Sequence, residues 1–284
     1  MERTNKIYII GTLSQVKDTR SGDKDGIPWI AGTAVVTSGD NEFELKYYSS
    51  AKTQKGAENS RFSNYETLSD RVGERVKVNG EISGRNWFNE GQGQVIGFNE
   101  LSAGFFNTPK PTESDVATFE YSGFVTKPIY ERFNKDEELV AYEMEIAQAN
   151  YSGDNMQIIR FTIDKDNPKI ISAIEKSYAK GVTVSINGIV RYEVITEEKV
   201  EEVAFGDPIV KKYQNTRKSF VITGGKQVIV DEGLAYSPTQ IAKLESAYRD
   251  YLAQVEKDAK ARNEAGTSIS KPAPAASNNQ DRLL

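Results

Sequence analysis

Cations and aromatic rings recur together at several points in this sequence, and the chemistry open to such pairs is specific. A lysine or arginine cancels the charge of a phosphate, and an aromatic face stacks on another planar ring. The candidates fall in five stretches. Lys46 and Tyr48 lie in "FELKYYSS", and Arg85, Trp87 and Phe88 in "SGRNWFNEGQGQ". Tyr130 and Arg132 lie in "KPIYERFNKDEE", and Arg160 in "IIRFTID". Lys211, Lys212, Tyr213 and Arg217 lie in "IVKKYQNTRKSF". Each also has a plain reading, since any solvated strand carries some Lys or Arg and a ring can close the end of a small core.

Composition removes many other chemistries. There is no cysteine and no histidine, so disulfides, thiolate metal sites, imidazole metal ligands and the commonest general base are absent. No phosphate-binding Gly-Lys-Ser/Thr loop occurs, so ATP-driven chemistry is not expected. The acidic runs "KDEEL" and "TEEKVEE" lack the glycine-bearing spacing of a calcium loop and read as solvated segments. The expectation is a protein without enzymatic activity, cofactor or metal. No apolar run approaches the roughly 18 residues needed to span a bilayer. The start "MERTNKIYIIG" lacks the pattern of a signal peptide. Cytoplasmic residence is expected, in a host cell if the chain is viral. Net charge is −5, and residues 1–107 hold 13 basic and 14 acidic side chains against 15 and 19 in residues 117–232. Any anionic ligand must therefore be met by a local basic surface rather than by the overall field.

The elements that would position these residues come twice. "GERVKVNGEIS" begins at Gly73 and "GVTVSINGIVR" at Gly181, and both read G-x-x-V-x-[VI]-N-G-x-[IV]. A short helical stretch precedes each. In the first, Phe62, Tyr65 and Leu68 recur at helical spacing; in the second, Asn167 caps, Pro168 opens, and Ile171, Ile174 and Tyr178 form the stripe. Three strand-like runs precede each helix and one follows each repeat. Gly11 and Gly123 interrupt the opening runs, where a glycine marks a bend. The order is β-β-β-α-β-β, twice, with the Pro-rich "NTPKPTESD" between.

That order resembles the OB-fold, a five-stranded Greek-key barrel with its helix between strands three and four. The expected fold class is all-β with small helices: two tandem OB-fold-like barrels plus a C-terminal helix. The expected units are residues 1–107, a linker at 108–117, residues 118–232, a helix within 233–265 and a disordered tail at 266–284. "SPTQIAKLESAYRDYLAQVEKDAKAR" supplies the helix, with a capping box from Ser237 to Gln240. Ile241, Leu244, Tyr248, Tyr251, Val255 and Ala259 form its stripe, which must pack on its own barrel or on a second copy of the chain.

The chain thus resembles the tandem OB-fold single-stranded DNA-binding proteins of phages and cells. The resemblance implies sequence-tolerant binding of single-stranded DNA in replication or recombination, with replication or recombination proteins as partners and self-association through the helix. It places the ligand on the outer face of strands two and three, framed by the first and last hairpins. Alternation then sends Phe43, Leu45 and Tyr47 inward and Lys46 and Tyr48 outward, with Arg160 in the matching place of the second copy. The loops "KDTRSGDKDGIPW" and "KPIYERFNKDEE" would supply further cations and rings.

Two features oppose this. Glu143 and Glu145 fall on the outer face of the second copy, where they repel phosphate. The chain ends "NNQDRLL" rather than in an acidic tail. The acidic arm of the long last hairpin can also neutralise its basic arm. A non-enzymatic structural or adaptor protein, such as a virion component, remains the competing reading, and carbohydrate binding a third.

Overall fold

The computed structural model of the chain describes residues 3–134, 137–201, 209–228 and 235–264, with backbone alone over 193–201 and 209–217. The tail expected at 266–284 lies outside the described residues.

Among the described residues, ten strands and three α-helices follow in order: β1 Asn5–Lys24, β2 Ile27–Ser38, β3 Asn41–Ser50, α1 Ser60–Glu66, β4 Arg75–Asn89, β5 Gln94–Asn107, β6 Val116–Phe133, β7 Leu139–Ala149, β8 Met156–Ile163, α2 Pro168–Ser177, β9 Thr183–Glu201, β10 Ile209–Gln227 and α3 Pro238–Glu264. In the first copy β1 pairs antiparallel with β2 and β4, β2 with β3, and β4 with β5. A short parallel contact, Leu45 opposite Leu101, closes β3 onto β5. The second copy repeats this circuit, closing β8 onto β10 in parallel at Thr162 and Val221. Both are OB barrels. Their interiors are filled by the expected alternation: Phe43, Leu45 and Tyr47 in one, Met144, Ile146, Ile159, Phe161 and Ile163 in the other.

Helix signals held at the atomic level. Asn167 accepts from the Ile170 amide at α2. Ser237 and Gln240 exchange the two bonds of a capping box at α3, 2.9 and 3.2 Å. Each bond satisfies an amide that the first turn leaves without a partner.

The first loops differ from expectation. "KDTRSGDKDGIPW" is not a loop: β1 and β2 run on as a paired ribbon to Lys24 opposite Ile27. The reason is the dipeptide Asp25-Gly26, with φ of 55° and 76°, the geometry that a two-residue hairpin turn needs to match strand twist. Similarly β6 continues through Tyr130 and Arg132 to Phe133.

Gly11 and Gly123 mark where the first strand of each barrel bends from one neighbour to the next. A Cβ on Gly11 would collide with the Thr37 carbonyl, and one on Gly123 with that of Ala147. Backbone approaches this close admit only glycine.

The barrels are joined through β1 and β6, which pair antiparallel from Asn5–Tyr121 to Ile10–Val116. Ile7 stands opposite Phe119. These two residues are equivalent in the repeat, being spaced as Gly11 is from Gly123. The seam thus has the register of a two-fold dimer made within one chain. Buried side chains of both barrels form one connected apolar cluster across it. Each last hairpin then reaches over the other barrel. The β4–β5 hairpin meets β8, where Asn99 donates to the Arg160 carbonyl at 2.9 Å and the Gly84 amide to Gln157 at 3.3 Å. The β9–β10 hairpin meets β3, where the Tyr192 amide donates to Asn41 at 2.9 Å and its ring packs edge-on to Phe43 at 5.7 Å.

The segment between the barrels is pinned down. Glu113 accepts from Lys77 and from the Lys110 amide, both at 2.7 Å, and from the Tyr8 hydroxyl at 3.0 Å. Asp115 pairs with Arg75 at 2.5 Å.

Gly123→Ala is expected to lower stability by about 1–3 kcal/mol, the range for forcing atoms into a packed site, seen as an earlier urea midpoint. A second test uses Glu113. The bond from Lys77, followed by that from Lys110, holds its carboxyl down at about 2 against an ordinary 4.5. A lowered folded-state value means the contribution is full above about 4.5 and is lost as pH falls toward 2. The stability difference between wild type and Glu113→Gln should therefore shrink across that window.

Candidate nucleic-acid interface

An OB barrel presents ligands with the outer face of its second and third strands, between the first and last hairpins. In the first barrel that face is built by simple alternation. With Ile30, Ala34 and Val36 inward on β2, Trp29, Ala31, Thr33 and Val35 point out. On β3 the outward set is Glu42, Glu44, Lys46 and Tyr48. Register places Ala31 beside Tyr48 and Thr33 beside Lys46.

Tyr48 is 63% exposed, and its ring stacks on Trp29 at 6.4 Å with the planes 29° apart. Lys46 Nζ donates to the Thr33 hydroxyl at 2.8 Å. Ladder pairing extends the face onto the last hairpin. Ser83 and Ser102 share a hydrogen bond, Arg85 pairs with Glu100 at 2.9 Å, and Trp87 follows Arg85 on the same side. Phe98, opposite Arg85 in the ladder, is 39% exposed. Phe88 points the other way, toward α3, with Lys260 Nζ 5.8 Å from its ring.

Cations of both barrels meet carboxylates on this face. Lys17 pairs with Glu44 at 2.6 Å. Burial pushes the Glu44 carboxyl up, but Lys17, Lys218 and Lys46 together hold it below the ordinary range. Lys218 arrives from β10 of the other barrel. Burial lowers its ammonium below the usual lysine range, while Glu44 and Glu100 act in the opposite sense. Lys46 and Arg85 lie on the same face, and alternation places Glu42 there beside Glu44.

The matching face of the second barrel is organised differently. Glu143 and Glu145 do point outward, opposite Thr162 and Arg160, but they are matched by cations. Arg132 stands 3.3 Å and Arg160 3.6 Å from Glu143, and Arg160 lies 3.5 Å from Glu145. The Tyr130 hydroxyl donates to Glu143 at 3.1 Å. Its proton is held, because burial raises its pKa well above the ordinary value and the two glutamates add to this against Arg160. Lys127 Nζ lies 3.6 Å from the centre of the Tyr130 ring.

The sequence candidates therefore divide. Lys46, Tyr48, Arg85 and Trp87 share one outer face. Phe88 is on the reverse of the hairpin. Tyr130, Arg132 and Arg160 form a charge cluster on the second barrel. For Lys211, Lys212, Tyr213 and Arg217 the backbone register is described, with Lys212 opposite Glu198, Tyr213 opposite Glu197 and Arg217 opposite Glu193; their side chains lie outside the described residues. Trp29, Phe98 and Lys218 join the first face. Phe98 was not singled out; its signal was the ladder position opposite Arg85. Lys218 was legible as part of the basic arm of the last hairpin, but that it enters the face of the other barrel had no local signal. Among the described residues there is no cluster able to hold a metal and no helix long and apolar enough to cross a membrane.

The circuit of strands and the placement of this face define a tandem OB-fold protein. The chain belongs to the YorF family, whose profile matches residues 3–259. A comparison with curated proteins finds no match. The chain is similar in structure to a deletion mutant of the single-stranded DNA binding protein from Thermus aquaticus, at 12% identity and a TM-score of 0.48, covering 84% of this chain and 99% of that one. It is also similar to the wild-type protein from that organism, at 10% identity and a TM-score of 0.48, over 81% and 95% of the two chains.

The charge cluster yields a test. Both arginines face Glu143, which is 3% exposed, but the Arg132 side chain is 16% exposed and that of Arg160 50%. Removing the less solvated partner costs more. Arg132→Ala should lower stability by about 3 kcal/mol and Arg160→Ala by about 1 kcal/mol, measured by urea denaturation.

Proposed function

We propose that this protein binds single-stranded DNA without sequence preference, as a non-enzymatic protein of replication or recombination acting in the cytoplasm. The observation that carries this is the exposed Tyr48–Trp29 stack beside Lys46, on the face that an OB barrel offers to a ligand. A base has a flat π-face whatever its identity, so stacking on Tyr48 is indifferent to sequence. Lys46 and Arg85 flank the rings where the phosphates of a stacked strand run. Trp87 and Phe98 continue the apolar track along the hairpin. A duplex hides its base faces within its own stack, so this surface favours single strands. With a net charge of −5, affinity depends on these local contacts and falls as salt rises.

Titration with oligo-dT at two salt concentrations, read by tryptophan fluorescence, tests the proposal. Both tryptophans lie on the first barrel's outer face, so quenching is expected. Tyr48→Ala should weaken binding by about ten- to a hundredfold, the equivalent of one lost stacking partner. Lys46→Ala should lower the salt slope by about one unit. No quenching and no mobility shift with a long oligo-dT at low salt would defeat the proposal and leave the face as a protein-docking surface.

A further inference from the structure

We infer that the DNA-binding site is confined to the first barrel, because the second barrel's outer face is covered at one end by the chain's own α3, is engaged in ion pairs further along, and lacks the first barrel's exposed aromatic stack. This inference rests on the single-strand reading above and fixes where that binding happens.

Three observations on the second barrel carry it. The first is cover. Outward-facing Phe124 of β6, Ala147 of β7 and Met156 of β8 form a buried apolar cluster with Leu244 of α3, and Ala149, Ile158, Ile241 and Tyr248 pack against it. Ala147 stands opposite Ile158, and Ala149 opposite Met156, so α3 lies across one end of the β7–β8 ladder. The helix is held at both sides. The hydroxyl of Tyr236, just before it, accepts from the Ala149 amide at 2.9 Å. Tyr248 donates to Asn86 of the first barrel at 3.2 Å.

The second is charge. Further along the same ladder, Glu143 and Glu145 are matched by Arg132 and Arg160. A phosphate brought here would have to compete with two carboxylates already in place.

The third is the missing aromatic stack. Gly11 abuts the Thr37 carbonyl as Gly123 abuts that of Ala147, so the counterpart of Lys46 opposite Thr33 is Thr162 opposite Glu143, not Arg160. Two residues beyond Lys46 is Tyr48, 63% exposed; two beyond Thr162 is Asp164. Four residues before Thr33 is Trp29; four before Glu143 is Leu139. The stacked aromatic pair of the first barrel is thus replaced by aspartate and leucine. A strand laid across the second face would find helix, ion pairs and the Tyr130 ring, whose hydroxyl is bonded to Glu143.

Hydrogen exchange on the full chain, with and without saturating oligo-dT, tests this without any substitution. Slower exchange in β2, β3 and the β4–β5 hairpin is expected, with β7, β8 and α3 unchanged. Faster exchange in α3 together with slower exchange in β7 and β8 would show a displaceable cover and overturn the inference. Slowing on both barrel faces with α3 in place would overturn it equally. No change anywhere, together with no mobility shift, would instead remove the single-strand reading itself.

Discussion

The antiparallel pairing of β1 with β6 is the constraint on which the rest of the molecule depends. With Ile7 opposite Phe119, two equivalent strands meet about a local two-fold axis, and everything attached to them is placed in reciprocal fashion. Each barrel bends away from the seam at a glycine, Gly11 or Gly123, where a neighbouring carbonyl leaves no room for a Cβ. Each last hairpin is then directed over the other barrel's third strand. The side chains that fill the seam belong to a single apolar cluster, so the two barrels share burial rather than merely touching.

Within this near-symmetric frame the two faces have diverged. One carries an exposed aromatic stack, Tyr48 on Trp29. The other carries two outward glutamates, two arginines and a helix. A carboxylate such as Glu143, almost fully buried, is tolerable only with counter-charges at hand, and Arg132 and Arg160 supply them. The same two arginines are therefore committed to the fold. Glu143 and Glu145 thus lie on the copy that α3 packs against, where Arg132 and Arg160 balance them.

The helix shows how one element can settle a surface. Its stripe was open to two partners, its own barrel or another chain. Ile241, Leu244 and Tyr248 pack on the second barrel, while Tyr251 stays 39% exposed. The hydroxyl of Tyr248 and the ammonium of Lys260 reach the first barrel's hairpin. One helix thus bridges both copies and reinforces the seam.

Much of this was legible in the sequence. The repeated G-x-x-V-x-[VI]-N-G strand, the helix before it and the strand count are local signals, set by alternation and capping that act over a few residues. The inward and outward sets of β3, β7 and β8 followed from a period of two. The Ser237–Gln240 capping box followed from spacing. Asp25-Gly26 was also a local turn signal, though its consequence, a ribbon where a loop was expected, needed the strands on both sides to be seen pairing. What the sequence left open were relations between distant segments. That β1 pairs with β6, that Lys218 of one barrel enters the face of the other, and that α3 lies on β7 and β8 depend on contacts tens to hundreds of residues apart. Side-chain pattern states which face of an element is apolar; only the packed structure states what covers it.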